Sequence, residues 1–220
     1  MSKQVKKAPK IKKPDLPPRL EELKWDASLL GEEERIENGL IKDQVIEGIK
    51  EERLSFKKLR FEGVTFESCS FRQIELVDVE FYKCDLSNID LSDSIIHHVE
   101  WKDCKLLGMN VSGSTIRHTT FKGCQADYSA FGFANCKWVA FEHTLLNRAD
   151  FYEAVFKHTS FAHCKMDQAN LSGPSLQGVD LSTCSFDNLT VSIDQLEGCI
   201  ISPEQAIGFA KILGLVIKEH

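Results

Sequence analysis

The chain has 220 residues, 42% of them hydrophobic and 27% charged, with 8 cysteines and a net charge of −6. This apolar content excludes a disordered chain, and the length suits one domain with a full core or two small ones. No run of about 18 apolar residues exists to cross a membrane as a helix, and MSKQVKKAPKIKK at the start lacks the apolar stretch of a signal peptide, so the expected compartment is the cytoplasm.

In chain order, residues 1–19 come first, with six lysines and no acid in residues 1–13, followed by Pro14, Pro17 and Pro18. The composition predicts a flexible basic tail, able to add weak attraction to an anionic surface such as nucleic acid. Residues 20–35 form the next unit. Leu20 to Leu30 is amphipathic at helical spacing and predicts a cap helix.

From residue 36 to 202 a single period takes over. Every fifth residue from Phe56 to Phe186 is apolar, 27 positions in one frame. The residue two before each is small or apolar, as in Val64, Cys69, Ile74 and Val79. Neither an α-helix, at 3.6 residues, nor a strand, at 2.0, has this period, so the pattern means a solenoid. Ile36, Ile41 and Ile46 already lie on the register and Glu51 breaks it, which predicts a degenerate first coil.

The pentapeptides Ser87-Asn88-Ile89-Asp90-Leu91, Arg148-Ala149-Asp150-Phe151 and Gln168-Ala169-Asn170-Leu171 resemble the pentapeptide-repeat family. The resemblance implies an all-β solenoid, a right-handed quadrilateral β-helix with four pentapeptides in each 20-residue coil. The sequence tests that number independently. Cysteines fall at 84, 104, 124, 164 and 184 with Thr144 in the gap, and aromatics at Phe61, Phe81, Trp101, Phe121, Phe141 and Phe161. With rungs about 4.8 Å apart, each ladder is a column of touching side chains, and some seven coils make a rod of about 32 Å.

Residues 203–220 close the chain. Ser202-Pro203-Glu204-Gln205 reads as N-cap, first-turn proline and capping-box glutamine, so a helix should follow to about Leu213, stop at Gly214 and give way to a strand at Leu215-Val216-Ile217. Phe209, Leu213, Leu215 and Ile217 exceed what a simple lid needs and are the candidate contacts of a two-fold dimer.

No catalytic motif, cofactor fingerprint or zinc spacing is present, so neither an enzyme nor a cofactor is expected. Seven of the eight cysteines hold the inward position two before a centre, and Cys136 is itself a centre; they read as small core residues. His98, His118 and His158 share one outward corner with Trp138, and His143 and His163 pair at another. They read as solvated turn residues, a metal or small-ligand site being the less favoured alternative. Trp138, Tyr128 and Phe133 sit at outward corners of one coil and are candidates for a partner surface, together with the acids Asp90, Glu100, Asp150 and Asp180.

The resemblance extends to one branch of the family, the Qnr-like quinolone-resistance proteins. It rests on the helix–Gly–strand ending and on the acidic repeat region: residues 54–202 carry 13 Lys and Arg against 19 Asp and Glu, whereas residues 1–53 balance at 12 against 12. That branch implies a homodimeric rod that imitates DNA, binds DNA gyrase and topoisomerase IV and protects them from quinolones. The frame has no interrupting loop, as in the branch's mycobacterial type, and the long basic extension lies outside its pattern. A scaffold with another protein partner is the alternative reading.

Overall fold

The computed structural model describes residues 10–26, 35–212, 216 and 218. Short strands alternate with tight corners for almost the whole chain. Every fifth residue from Asn38 to Gly178 has positive φ. A left-handed residue turns the chain after each pentapeptide, which is the physical origin of the five-residue period.

Four such segments make one coil, taken here as sides one to four. In the coil of residues 54–73 they are residues 54–58, 59–63, 64–68 and 69–73. The centre residue and the one two before it point inward; the other three point out. Strands β1 (Glu21–Glu22) and β2 (Arg35–Lys42) open the rod. Short strands β3 (Val45–Glu47) and β4 (Lys50–Glu52) complete the first coil. The next coil repeats the plan as β5 (Ser55–Glu62), β6 (Thr65–Glu67) and β7 (Ser70–Arg72). Beyond it, sides one and two continue as β8 (Glu75–Tyr82), β9 (Ile95–Lys102), β10 (Thr115–Lys122), β11 (Asn135–Glu142) and β12 (Val155–Ala162). Sides three and four become isolated parallel bridges such as Asp90↔Asn110 and Asp150↔Asn170.

All pairing is parallel. The strands of the main sheet stack in the order β1-β2-β5-β8-β9-β10-β11-β12, and from β2 onward each residue faces the one 20 positions on, as in Phe61↔Phe81 and Phe121↔Phe141. The protein is a parallel β-solenoid of about seven turns with one short helix near its C-terminus.

The predicted ladders are the core. Phe61, Phe81, Trp101, Phe121, Phe141 and Phe161 stack nearly parallel, with adjacent centroids 4.1 to 5.9 Å apart. The thiols of Cys104, Cys124 and Cys164 donate to carbonyls 23 residues back, and Thr144 donates to Phe121 in the same way, so it replaces cysteine without a gap in the pattern. All eight cysteines are free, and burial pushes the Cys136 thiol up to about 12, away from the reactive thiolate.

Both ends depart from the repeat. At the C-terminus α1 (Pro203–Ile212) starts with the expected capping box: Ser202 N–H donates to Gln205 Oε1 (2.8 Å), and Gln205 N–H to Ser202 Oγ (3.3 Å). The amide of Gln205 also donates to the carbonyls of Leu181 and Cys184, which the ending stack leaves without a next coil. Phe209 is buried edge-on against Phe186, so it seals the core of its own chain and is not free for a second copy, contrary to the sequence expectation. Leu213, Leu215 and Ile217 lie outside the described residues; Val216 between the last two is exposed and in no strand.

The N-terminal expectations need larger corrections. No helix covers residues 20–26: Glu21–Glu22 pairs with Gly39 and Leu40 of β2 as a strand, and residues 27–34 lie outside the described set. The open edge of the first coil has backbone groups to satisfy, and a strand satisfies them where a helix cannot. Gln44 clamps this segment by accepting from Trp25 N–H and donating to Leu23 carbonyl. Leu23 lies so close over Gly39 that a β-carbon there would clash with it. Nor are residues 10–19 a free tail. They lie along the second side, held by Lys12 N–H to His118 Nδ1 (3.4 Å) and Asp15 N–H to Asp78 Oδ1 (3.0 Å). Residues 1–9 lie outside the described residues.

Candidate protein-interaction surface

With a 20-residue coil, each outward side chain belongs to a column, and the columns sort the charge. The first side carries Arg117, Lys137 and Lys157 on consecutive rungs, and from Ile95 to Gly178 it has no Asp or Glu. The fourth side is its opposite. From Asp90 onward it carries Asp90, Asp93, Asp150 and Glu153 with no Lys or Arg. The third side mixes Asp127, Asp167 and Asp187 with Lys105, Arg148 and Lys165. Backbone N–H groups of Asn188 and Asp187 hold the Asp167 carboxyl below the usual carboxylate range.

The seven residues expected at a partner surface fall in three places. Asp90, Asp150, Tyr128 and Phe133 come together on the fourth side and its two corners. Glu100 and Asp180 share a column on the second side, across the rod, and Glu100 borders the N-terminal segment. Trp138 stands at the corner of sides one and two. It is half-buried, stacked between His118 (4.6 Å) and His158 (5.5 Å), with Lys137 Nζ 4.3 Å from its ring centre. Most of its ring is therefore already spent within the chain. His143 and His163 stack as expected, 4.8 Å apart. Among the described residues no group of three or more His, Cys, Asp or Glu converges on a point able to hold a metal ion.

The carboxylates have structural duties as well. Asp150 Oδ1 accepts from Tyr152 N–H (3.0 Å) and from Asn170 Nδ2 (2.8 Å); Asp90 Oδ1 repeats this with Ser92 and Asn110. Each closes a turn and ties one rung to the next while keeping its charge at the surface. Tyr128 and Phe133 are exposed by 55% and 64%, at φ of 60° and 58°. That left-handed backbone is shared by every corner from Asn38 to Gly178, Trp138 and Arg148 included, so it belongs to the repeat and does not mark these two residues out.

Sequence reasoning missed three members of this surface. Tyr152, 44% exposed, meets Phe133 edge-on at 5.5 Å. Arg148 donates to Tyr128 Oη (2.6 Å) and lies over that ring. Glu153 occupies the corner above Phe133. Sorting the outward residues by 20-residue column would have found all three. Together they make a flat, acidic, aromatic-edged face with no enclosed cavity.

Comparisons with known proteins agree with the architecture. A model described as a pentapeptide repeat region matches residues 54–131, and one described as pentapeptide repeats (8 copies) matches residues 134–173 and 164–192. No curated relative matches the sequence. Among solved structures, a trypsin-treated variant of QnrB1, a plasmid-mediated fluoroquinolone resistance protein, aligns at 17% identity over 84% of this chain and 90% of its own, TM-score 0.40. Full-length QnrB1 aligns at 16% over 80% and 100%, TM-score 0.39. The pentapeptide repeat protein Rfr23 of the cyanobacterium Cyanothece 51142 aligns at 13% over 79% and 95%, TM-score 0.23. The two matching family models span more than half of the chain, and with the five-residue register and the 20-residue coil they place it in the pentapeptide-repeat family.

Proposed function

We propose that this protein is a non-catalytic interaction rod whose fourth side binds a positively charged protein surface. The DNA-binding region of DNA gyrase or topoisomerase IV is the partner this reading selects. The observation that carries it is the segregation of charge. Asp90, Asp93, Asp150 and Glu153 lie on a stretch of the fourth side that itself has no Lys or Arg, bordered by Arg72, which pairs with Asp90 and Asp93, and by Arg148. This excess of negative charge along a rod complements a groove built for phosphates. In this reading the rod occupies the groove in place of DNA and protects the enzyme from quinolones. The C-terminal helix end would join two copies, with Leu213, Leu215 and Ile217 as contacts and Phe209 sealing each rod.

The test is gyrase supercoiling in the presence of a fluoroquinolone, with and without the protein, reading both supercoiled product and cleaved DNA. Rescue of supercoiling with fewer breaks is expected, and Asp90→Lys with Asp150→Lys should abolish it. No effect at concentrations well above that of gyrase overturns the reading for that enzyme. The Tyr128–Phe133–Tyr152 cluster favours a second reading, a scaffold for another cytoplasmic protein, because exposed aromatics anchor protein interfaces. That reading expects a stable rod without effect on gyrase, and a partner that is lost on Phe133→Ala.

A further inference from the structure

Among the described residues, the second side of the rod is the side that the chain's own N-terminal segment covers. Its outward column changes character along the stack: Glu80 and Glu100 in the earlier coils give way to Thr120, Ala140 and Ser160 in the later ones. Small side chains beside acidic ones leave a shallow channel, and residues 10–20 lie in it. Ile11, half-buried, borders a cleft of about 290 Å³ with Ala140 and Ser160, and Ala140 is only 4% exposed although it points outward. Lys12 and Lys13 border the same cleft as Glu100 and Glu142. Further along, Pro14, Leu16 and Pro17 flank Glu80 and Leu40.

The mode of contact is specific in kind. Pro14, Pro17 and Pro18 have no N–H and cannot extend a β-ladder, so the segment is held by shape, by the two backbone donors of Lys12 and Asp15 and by the Asp15–Lys58 ion pair (4.0 Å). Lys12 and Lys13 lie near Glu100 and the Lys122–Glu142 pair without bonding them directly. Such a contact opens at low cost compared with a paired strand. Among the described residues it is anchored at its C-terminal end, where β1 pairs with β2. A face that accepts this segment accepts others of the same chemistry.

We propose that the second side is a docking groove for an extended, lysine-bearing, proline-rich polypeptide segment, occupied in cis by residues 10–20 and taken over in trans by a cationic segment of another protein. The groove is separate from the fourth side and does not depend on the topoisomerase reading.

A fluorescently labelled peptide with the sequence of residues 10–20 tests this on the full-length protein. The wild-type chain should bind it weakly, because the tethered segment fills the groove at high effective concentration. The full-length K12E/K13E variant, whose own segment is repelled by Glu100 and Glu142, should bind it at least tenfold more tightly. Adding Glu100→Lys and Glu142→Lys to that variant should remove the binding. Equal affinity of the first two proteins, or no binding by either, overturns the proposal. A second measurement guards against misfolding of the variants: in the wild-type chain, hydrogen exchange at the Lys12 and Asp15 amides should be slowed at least tenfold, and exchange at the unstructured rate overturns cis occupancy.

Discussion

The second and fourth sides of this rod are built from the same repeat and face opposite directions, yet among the described residues one is covered by the chain's own N-terminal segment and the other is uncovered. Both carry acids on outward columns. The covered side adds small residues, Thr120, Ala140 and Ser160, where a peptide can lie down. The uncovered side adds Tyr128, Phe133 and Tyr152, bulky groups that stand up from the surface. A shared backbone thus specifies neither face. The outward residue of each column decides whether a side receives a chain or presents itself to a surface.

The comparison collapses if the common interior fails. Phe141 is fully buried and stacked between Phe121 and Phe161, and it supports all four sides. Phe141→Ala should cost about 3–5 kcal/mol. Chemical denaturation should show that loss, and binding at both faces should weaken together. If the faces respond separately, they are not carried by one cooperative core.

A smaller and more selective effect is expected at Asp150. Asparagine retains an oxygen to accept from Tyr152 N–H but removes the charge. Asp150→Asn should therefore change stability by less than about 1 kcal/mol, whereas partner affinity at the fourth side should fall severalfold in a salt-dependent manner. Unchanged affinity in a titration at low and high salt would assign this carboxylate to turn closure alone. The second side should not respond to this change at all.

The mildest perturbation is pH, and it should touch only the covered side. Burial lowers the pKa of His118, and the charges of His98, His97, Lys12 and Lys137 lower it further. Trp138, His158 and Arg117 complete its surroundings, while Asp78 bonds His98 and accepts from Asp15 N–H. A histidine with a depressed pKa in the docked state favours docking when neutral. Only the part of the shift that docking adds, through burial under the segment and the Lys12 charge, is linked to docking; it is present at higher pH and is lost as pH falls through the lowered value. Protection of the Lys12 amide from exchange, corrected for the intrinsic rate, should be flat above about pH 7 and decline below about 6.5. Protection that stays flat below about pH 6.5 would show that His118 does not gate the segment.

Most of the fold was legible because its signal is local and repeated. An apolar residue every five and a cysteine or aromatic every 20 define the coil without any partner information, and Ser202 to Gln205 spell out the cap in four consecutive residues. The misreadings share a different cause. The helix expected from Leu20 follows from local amphipathicity, but the unpaired edge of β2 is what decides that segment. The docked stretch of residues 10–19 is fixed by partners 63 and 106 positions away, which no window along the chain contains. The partner surface was half legible. Of the seven candidate partner residues, Asp90, Asp150, Tyr128 and Phe133 share one face, whereas Glu100 and Asp180 have the same repeat position as Asp90 and Asp150 on a different side.

The uniform 20-residue register also has a kinetic consequence. Each new coil must close a loop of the same length onto the coil before it, so no single long-range contact dominates the entropic cost of folding. Folding can start wherever two adjacent coils dock well and then spread in both directions. The stretch from Phe121 to Phe161, where Phe131 and Phe151 add a second stack at 4.8 Å, is the best place to start. The two ends, closed by a two-residue strand and a ten-residue helix, should then be the last to form and the first to open.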